Sequence, residues 1–227
     1  MNKTIYMTFK SHNFPKEKVF NKWLDLNPDW KIEFSDDNDC LEYIDKHFGQ
    51  EYVDLFNHIN YGANKADVWR LCKLYVEGGL YADIDIIPLV PIEQMIDDVD
   101  FCTCKSITNY SLFQAFIWVK EKESPIIKEC LVSLLNNKHK YKWNINSIEP
   151  TIDMYKVLTR LGIDIKVGTS IDSNNFKIRF LDEYIPIGDY NNKYRWVNSH
   201  VRLNGINVMK SRDIDYYNAK MNNINWN

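Results

Sequence analysis

The stretch from Asn64 to Leu89, NKADVWRLCKLYVEGGLYADIDIIPL, holds the side chains best suited to chemistry. Read as a strand from Leu80 to Leu89, closed by Pro88 and Pro91, it sends alternate side chains to opposite faces. Tyr81, Asp83, Asp85 and Ile87 then share one side, while Ala82, Ile84 and Ile86 turn toward the core. Two carboxylates on one side of an apolar strand repel each other unless a cation or hydrogen bonds compensate. Hard oxygen ligands of this kind suit Mg²⁺ or Mn²⁺, which keep positions open for phosphate oxygens and water. The end of a strand in an open α/β sheet is also where ligands bind. A solvated surface pair is the plainer alternative, but the apolar residues around it argue against a fully exposed strand.

Upstream, Asp67 and Arg70 lie three apart on the polar side of a helix expected over 64–77. One reading is structural, with Asn64 as N-cap, Asp67 at N3 and a plain helical ion pair to Arg70. The other makes both residues part of the same site as the aspartates. Val68, Leu71, Cys72, Tyr75 and Val76 supply the helix's apolar stripe, and Gly78-Gly79 ends it.

The elements that must position this stretch are legible on either side of it. Residues 4–10 alternate as a first strand, and Val19, Phe20, Trp23 and Leu24 fall at helical spacing after Pro15. Asn27-Pro28-Asp29 stops that helix, Ile32 and Phe34 mark a second strand, and Asp36 to Asp39 caps a helix carrying Leu41, Ile44 and Phe48. Strands are expected over Phe101 to Lys105 and Leu112 to Val119. Ser124-Pro125 opens a helix bearing Ile126, Ile127, Cys130, Leu131, Leu134 and Leu135. Another helix near Thr151 turns Met154, Val157, Leu158 and Leu161 inward, and short strands follow near 163–167, 177–181 and 197–203. Alternating strands and helices predict an α/β sandwich around a mostly parallel sheet, with residues 1–227 as one domain.

Bulk properties narrow the function classes. Among 227 residues, 28 basic and 31 acidic side chains are spread evenly, so no basic patch supports nucleic-acid binding. Five cysteines lack disulfide-scaffold density and read as reduced thiols. With no apolar leader at the N-terminus and no membrane-span-length run, a soluble cytoplasmic protein is expected. There is no P-loop or dinucleotide-binding glycine signature to anchor ATP or NAD chemistry.

Taken in order, the helix with Asp-x-x-Arg, the Gly-Gly and then Tyr-x-Asp-x-Asp-x-x-Pro-Leu resemble the sugar-binding region of glycosyltransferase family 32. That family contains initiating mannosyltransferases and capsular polysaccharide enzymes, and clostridial glucosylating toxins share its arrangement. The opening Ile5-Tyr6-Met7-Thr8-Phe9-Lys10 is similar to the family's first strand, with Phe9 in place of Trp. Asn27-Pro28-Asp29-Trp30 through Phe34-Ser35-Asp36-Asp37 is similar to its Asn-Pro … Asp-Asp segment.

The resemblance implies a GT-A fold, Rossmann-like with a mostly parallel central sheet flanked by helices. It also implies a nucleotide-sugar donor, a glycan or glycoconjugate acceptor, a divalent cation (Mn²⁺ or Mg²⁺) and retention of configuration. Asp85 would then ligate the metal, and Asp83 the metal or the ribose. Asp67 would hold donor hydroxyls, Arg70 the donor sugar or phosphate, and Thr8, Phe9 and Tyr81 would complete the donor site. Gln114 stands nearest the family's small-residue segment with Asn, and it and Asp153 are nucleophile candidates by position. His200 would complete the metal shell or touch the diphosphate, and Trp196, Tyr217 and Trp226 are candidates for stacking. The family's Thr-Gly-Pro appears only as Ile148-Glu149-Pro150, which leaves the acceptor side open.

Other classes fit less well. Haloacid-dehalogenase phosphatases need Thr where Ile87 stands, and polymerase-β-type nucleotidyltransferases need Gly-Ser where Gly78-Gly79-Leu80-Tyr81 stands. A sugar- or nucleotide-binding module without turnover is the remaining alternative.

Overall fold

Apolar alternation at Ile5 and Met7 builds β1 (Thr4–Thr8), and Pro15 opens α1 (Lys16–Leu24), which buries Val19 and Trp23. β2 (Lys31–Ser35) follows, then α2 (Asp37–Phe48). The Asp36 carboxylate accepts from the Asn38 and Asp39 amides while Asp39 reaches back to the Asp36 amide, a full capping box. α3 (Gln50–His58) has no counterpart among the expected elements. α4 (Gly62–Glu77) delivers the chain to β3 (Gly79–Ala82). Next come β4 (Ile87–Pro88), α5 (Ile92–Ile96), β5 (Phe101–Lys105), β6 (Leu112–Val119), α6 (Pro125–Asn137) and α7 (Glu149–Arg160). β7 (Gly168–Ile171), β8 (Lys177–Tyr184), β9 (His200–Leu203) and β10 (Ile206–Lys210) complete the series. The structure is a computed structural model that describes residues 1–141, 148–172, 175–186 and 199–211.

The strands form one mixed sheet in the order β2-β1-β3-β6-β5-β8-β9-β10-β4, with β7 also paired to β8. The expected parallel pairing holds in β2-β1-β3 and in β5-β8. The other pairs are antiparallel, because β6, β7, β9 and β4 run against the rest. Consequently β1, β2, β3, β5 and β8 end at the same edge of the sheet, where β6 and β9 begin.

Helices α2, α3, α4, α6 and α7 cover one face, with Tyr6, Tyr81, Ile117 and Phe180 beneath them. The other face packs Leu80, Ala82, Trp118, Val201 and Met209 against Val19 and Trp23 of α1 and Ile92 and Met95 of α5.

Several expectations are corrected. The strand expected from Leu80 to Leu89 is broken: β3 stops at Ala82, and Asp83 to Ile86 form a turn closed by the Ile86 amide on the Asp83 carbonyl (3.1 Å). The reason lies in the topology. β3 and β4 are six strand positions apart, about 29 Å on a flat sheet. The five-residue step from Ala82 to Ile87 spans at most about 18 Å. The sheet therefore curls toward closure, and the segment with the two aspartates joins its far-apart strands.

Residues 163–167 are not a strand, β7 beginning only at Gly168. Leu161 caps the end of α7 and is 43% exposed instead of facing inward. Asn64 is not the N-cap of α4, which starts earlier with Tyr61 in that place.

Candidate active site

Gly78 and Gly79 aim the chain from α4 into the site. Both have positive φ (62° and 92°). A Cβ on Gly78 would meet the Val119 carbonyl at 3.2 Å, and one on Gly79 the Thr4 carbonyl at 3.1 Å. This tight reversal lays β3 between β1 and β6, and the Asp83 amide extends the β6 ladder by one bond, to the Ala115 carbonyl (2.9 Å).

At the edge where β3 ends, Arg70 of α4 is buried at 4% exposure. Its Nη2 lies 3.4 Å from Asp67 Oδ1 and 3.4 Å from Asp83 Oδ1. Its Nη1 donates to the Gln114 carbonyl (2.5 Å) and its Nε to the Ala66 carbonyl (3.0 Å). The guanidinium stacks on Tyr81, 4.4 Å from the ring centre. Burial works against its charge, but Tyr81, Asp83, Asp67 and Asp85 more than offset that and hold its proton more tightly than usual. Asp85 thus lies within electrostatic reach of the same guanidinium.

Tyr81 is itself buried, which pushes its hydroxyl well above the ordinary range and leaves it a donor. It donates to Asp83 Oδ1 at 2.5 Å. Burial pushes Asp67 up to about 6, opposed by Arg70 and by the Asn64 side-chain amide, which donates to it at 3.1 Å.

The network therefore has a closed interior and an open rim. The side chains of Arg70 and Asp67 are 4% and 8% exposed, whereas that of Asp83 is 32% exposed. Ile84 and Ile86 are buried while Asp83 and Asp85 are half-buried. The turn thus achieves the segregation that the expected strand would have given, by a different backbone path. Asp67, Arg70 and Asp83 meet as a cluster, and the helical ion pair of the structural reading is one arm of it. Asn64 contributes as an Asp67 partner inside the helix, not as a cap.

The other expected residues are placed as follows. Thr8 ends β1 with its hydroxyl 3.3 Å from the Cys40 sulfur. Phe9 packs edge-on against Phe14 (5.6 Å), within an aromatic group that includes Phe20 and Phe34. Gln114 is buried, its Nε2 donating to the Pro150 carbonyl (3.2 Å). Among the described residues its Oε1 has no hydrogen-bond partner. Asp153 sits on α7 and accepts from the Asn137 amide (3.2 Å).

His200 opens β9 opposite Lys210, which lies opposite Ile87, so two strand spacings (about 10 Å) separate it from the residue just beyond the turn. It reaches the correct edge but does not form a compact ligand trio with Asp83 and Asp85. Among the described residues the one such trio is His12, Asp36 and Asp39. His12 contacts Asp39 (3.0 Å) and Lys16 (2.6 Å), and both aspartates serve the α2 cap. Trp196, Tyr217 and Trp226 lie outside the described residues.

What sequence reasoning missed is the part of Gln114 played by its main chain. No side-chain pattern announces a carbonyl that receives a guanidinium. A cavity of about 470 Å³, lined by Glu93, Asp97, Thr169 and Arg179 among others, lies toward the opposite edge of the sheet from these groups.

All five cysteines are free and buried, and burial pushes the Cys40 and Cys102 thiols up to about 12. Among the described residues no helix is long and apolar enough to cross a membrane.

Part of this chain is similar to known proteins. Residues 15–102 match the family described as "Glycosyltransferase sugar-binding region containing DXD motif". The initiation-specific alpha-1,6-mannosyltransferase of Candida albicans is 31% identical over 104 residues, 42% of this chain and 27% of that protein. The mannosyl phosphorylinositol ceramide synthase SUR1 of Saccharomyces cerevisiae is 32% identical over 85 residues, 37% of this chain and 22% of that protein. The chain thus matches about a quarter of the length of these relatives. Among solved structures, the PaToxG glycosyltransferase superposes with a TM-score of 0.53 at 18% identity, over 71% of this chain and 69% of that one, a likeness of fold. The Asp83-Ile84-Asp85 turn lies inside the matched region with a GT-A-type sheet around it, so residues 15–102 are similar to the DXD-containing sugar-binding region of glycosyltransferases.

Proposed function

We propose that this chain moves a sugar, with retention of configuration, from a nucleoside-diphosphate donor to a hydroxyl of a glycan or glycoconjugate. The carrying observation is the buried Arg70 set between Asp67 and Asp83 behind the half-exposed turn. Formally, Asp67, Asp83 and Asp85 bring three negative charges against one positive, a surplus of two at a sheet edge. An all-oxygen donor set with that surplus fits Mg²⁺ or Mn²⁺. Asp85, with the free oxygen of Asp83, would hold the cation, which when bound supplies Lewis-acid stabilisation of the departing diphosphate.

The protein's own groups do the rest. Tyr81 fixes one oxygen of Asp83, and Arg70 contributes a positive charge that needs no reorganisation as negative charge builds on the leaving group. Asp67 and the Gln114 carbonyl hold the guanidinium in place, so its orientation is set before substrate arrives. Gln114 Oε1, buried without a partner, is the group best placed among the described residues to meet a polar atom of the sugar.

A panel of UDP-, GDP- and dTDP-sugars incubated with Mn²⁺ should give nucleotide release from at least one donor, abolished by a chelator. Release from none of them would favour the binding-module reading.

A further inference from the structure

We infer that Tyr110 is a stacking platform for a sugar ring of the acceptor, a role that rests on the transferase reading above. Tyr110 sits on the connection between β5 and β6, at the same sheet edge as the Asp83 turn. It is 72% exposed, so core packing does not account for it. Its φ is 58°, a left-handed conformation that glycine adopts freely and a tyrosine only with strain. The chain has kept a strained, solvent-facing aromatic where glycine would be easier.

The loop beneath it is firmly built. Buried Glu183 of β8 accepts from the Ser106 hydroxyl (3.0 Å) and the Ile107 amide (3.3 Å). The Thr108 amide donates to Ser106 Oγ (3.1 Å), and the Ser111 hydroxyl donates to the Thr108 carbonyl (2.9 Å). The Tyr110 ring is braced edge-on by Tyr155 of α7 (5.8 Å, 87°), which leaves ring surface to solvent.

Position argues for the acceptor and not the donor. Gln114 is four steps along the chain from Tyr110, at most about 14 Å. Both ends of that interval touch α7, Gln114 at the Pro150 carbonyl and Tyr110 at Tyr155. Tyr110 therefore stands one or two sugar rings outward from the reacting edge. A tyrosine face covers the apolar C–H face of a pyranose while its hydroxyl remains free for sugar hydroxyls.

The test uses an array of printed mono- to tetrasaccharides, with donor hydrolysis measured separately. Wild-type protein is expected to bind at least one glycan. Tyr110→Gly should lower that signal about tenfold or more while its Tm holds or rises by about one to two degrees, because the strain is removed. Tyr110→Trp should retain binding. With a glycan that serves as acceptor, Tyr110→Gly should raise the acceptor KM and move the donor KM less than twofold. No glycan bound by wild type, or binding undiminished by Tyr110→Gly, overturns the platform. Absence of donor hydrolysis by wild type overturns the transferase reading instead, so the two failures are distinguishable.

Discussion

Arg70 and Lys73 sit three residues apart on α4, each 4% exposed, each over a tyrosine ring and each facing a carboxylate. Their surroundings differ in balance. Among the described residues Lys73 has one close carboxylate, Glu33 at 2.6 Å, whose side chain is 46% exposed, and its ammonium lies over the Tyr43 and Tyr6 rings (4.1 and 5.0 Å from their centres). That arrangement is a satisfied one-to-one pair tying α4 to β2. Arg70 stands among Asp67, Asp83 and Asp85, with its two closest carboxylates each at 3.4 Å and a main-chain carbonyl at 2.5 Å. Burial alone therefore does not set Arg70 apart from Lys73. On the proposed function, the excess of negative charge and the open rim around Arg70 do, since folding gains nothing from an unbalanced cluster unless a ligand completes it.

The largest effect that would separate the two regions is at the turn. Asp85→Asn should lower metal-dependent donor turnover by about a thousandfold or more, as expected when a charge-stabilising group is lost. The thermal midpoint should stay near or above wild type, because the change relieves repulsion. Turnover that survives this change would remove the metal from the account.

Next in size is the pH response of the free protein. Asp67 titrates near 6 in the fold, above its ordinary 3.8. The folded state then holds a proton more tightly than the unfolded chain, so this contribution is fully present below about pH 4 and is lost as pH rises through 6. A shift of about two units corresponds to roughly 3 kcal/mol, spread over that window. Melting curves of wild type and Asp67→Asn between pH 4 and 7 should diverge, the variant being flatter; parallel curves would mean that the buried carboxyl is already paired at no net cost.

The direct contrast comes from matched substitutions on α4. Arg70→Lys keeps the charge but loses the fork that reaches two carboxylates and a carbonyl, and donor turnover should fall about tenfold or more. Lys73→Met should leave the donor KM within twofold and cost stability only modestly, since Glu33 is half in water. Equal kinetic losses would erase the distinction drawn here.

The smallest expected effect is that of Tyr81→Phe, which frees one oxygen of Asp83. A bond to a partly exposed carboxylate is worth about 1–2 kcal/mol, so a several-fold rise in donor KM with little change in Tm is anticipated. Isothermal titration with Mn²⁺ alone would show whether the loss acts through metal affinity.

Much of this molecule follows from its sequence alone. The alternation of Ile5 and Met7, the capping box at Asp36, the apolar stripe of α4 and the Ser124-Pro125 start of α6 each rest on contacts within a few residues, so local chemistry suffices. The order Asp67, Arg70, Gly78-Gly79, Asp83, Asp85 was likewise enough to identify the region. Only tertiary structure decided that Asp83-Ile84-Asp85 is a turn, because the break comes from curling the sheet until β4 meets β10, a constraint set by strands more than a hundred residues downstream. Only tertiary structure joined Arg70 to the Gln114 carbonyl, removed Asn64 from the cap and brought His200 to the edge of the sheet that holds the turn, two strands from Ile87. The two aspartates were visible as chemistry from the start, but what sets their charge balance is the fold around them, since burial and distance do not exist until the chain has closed.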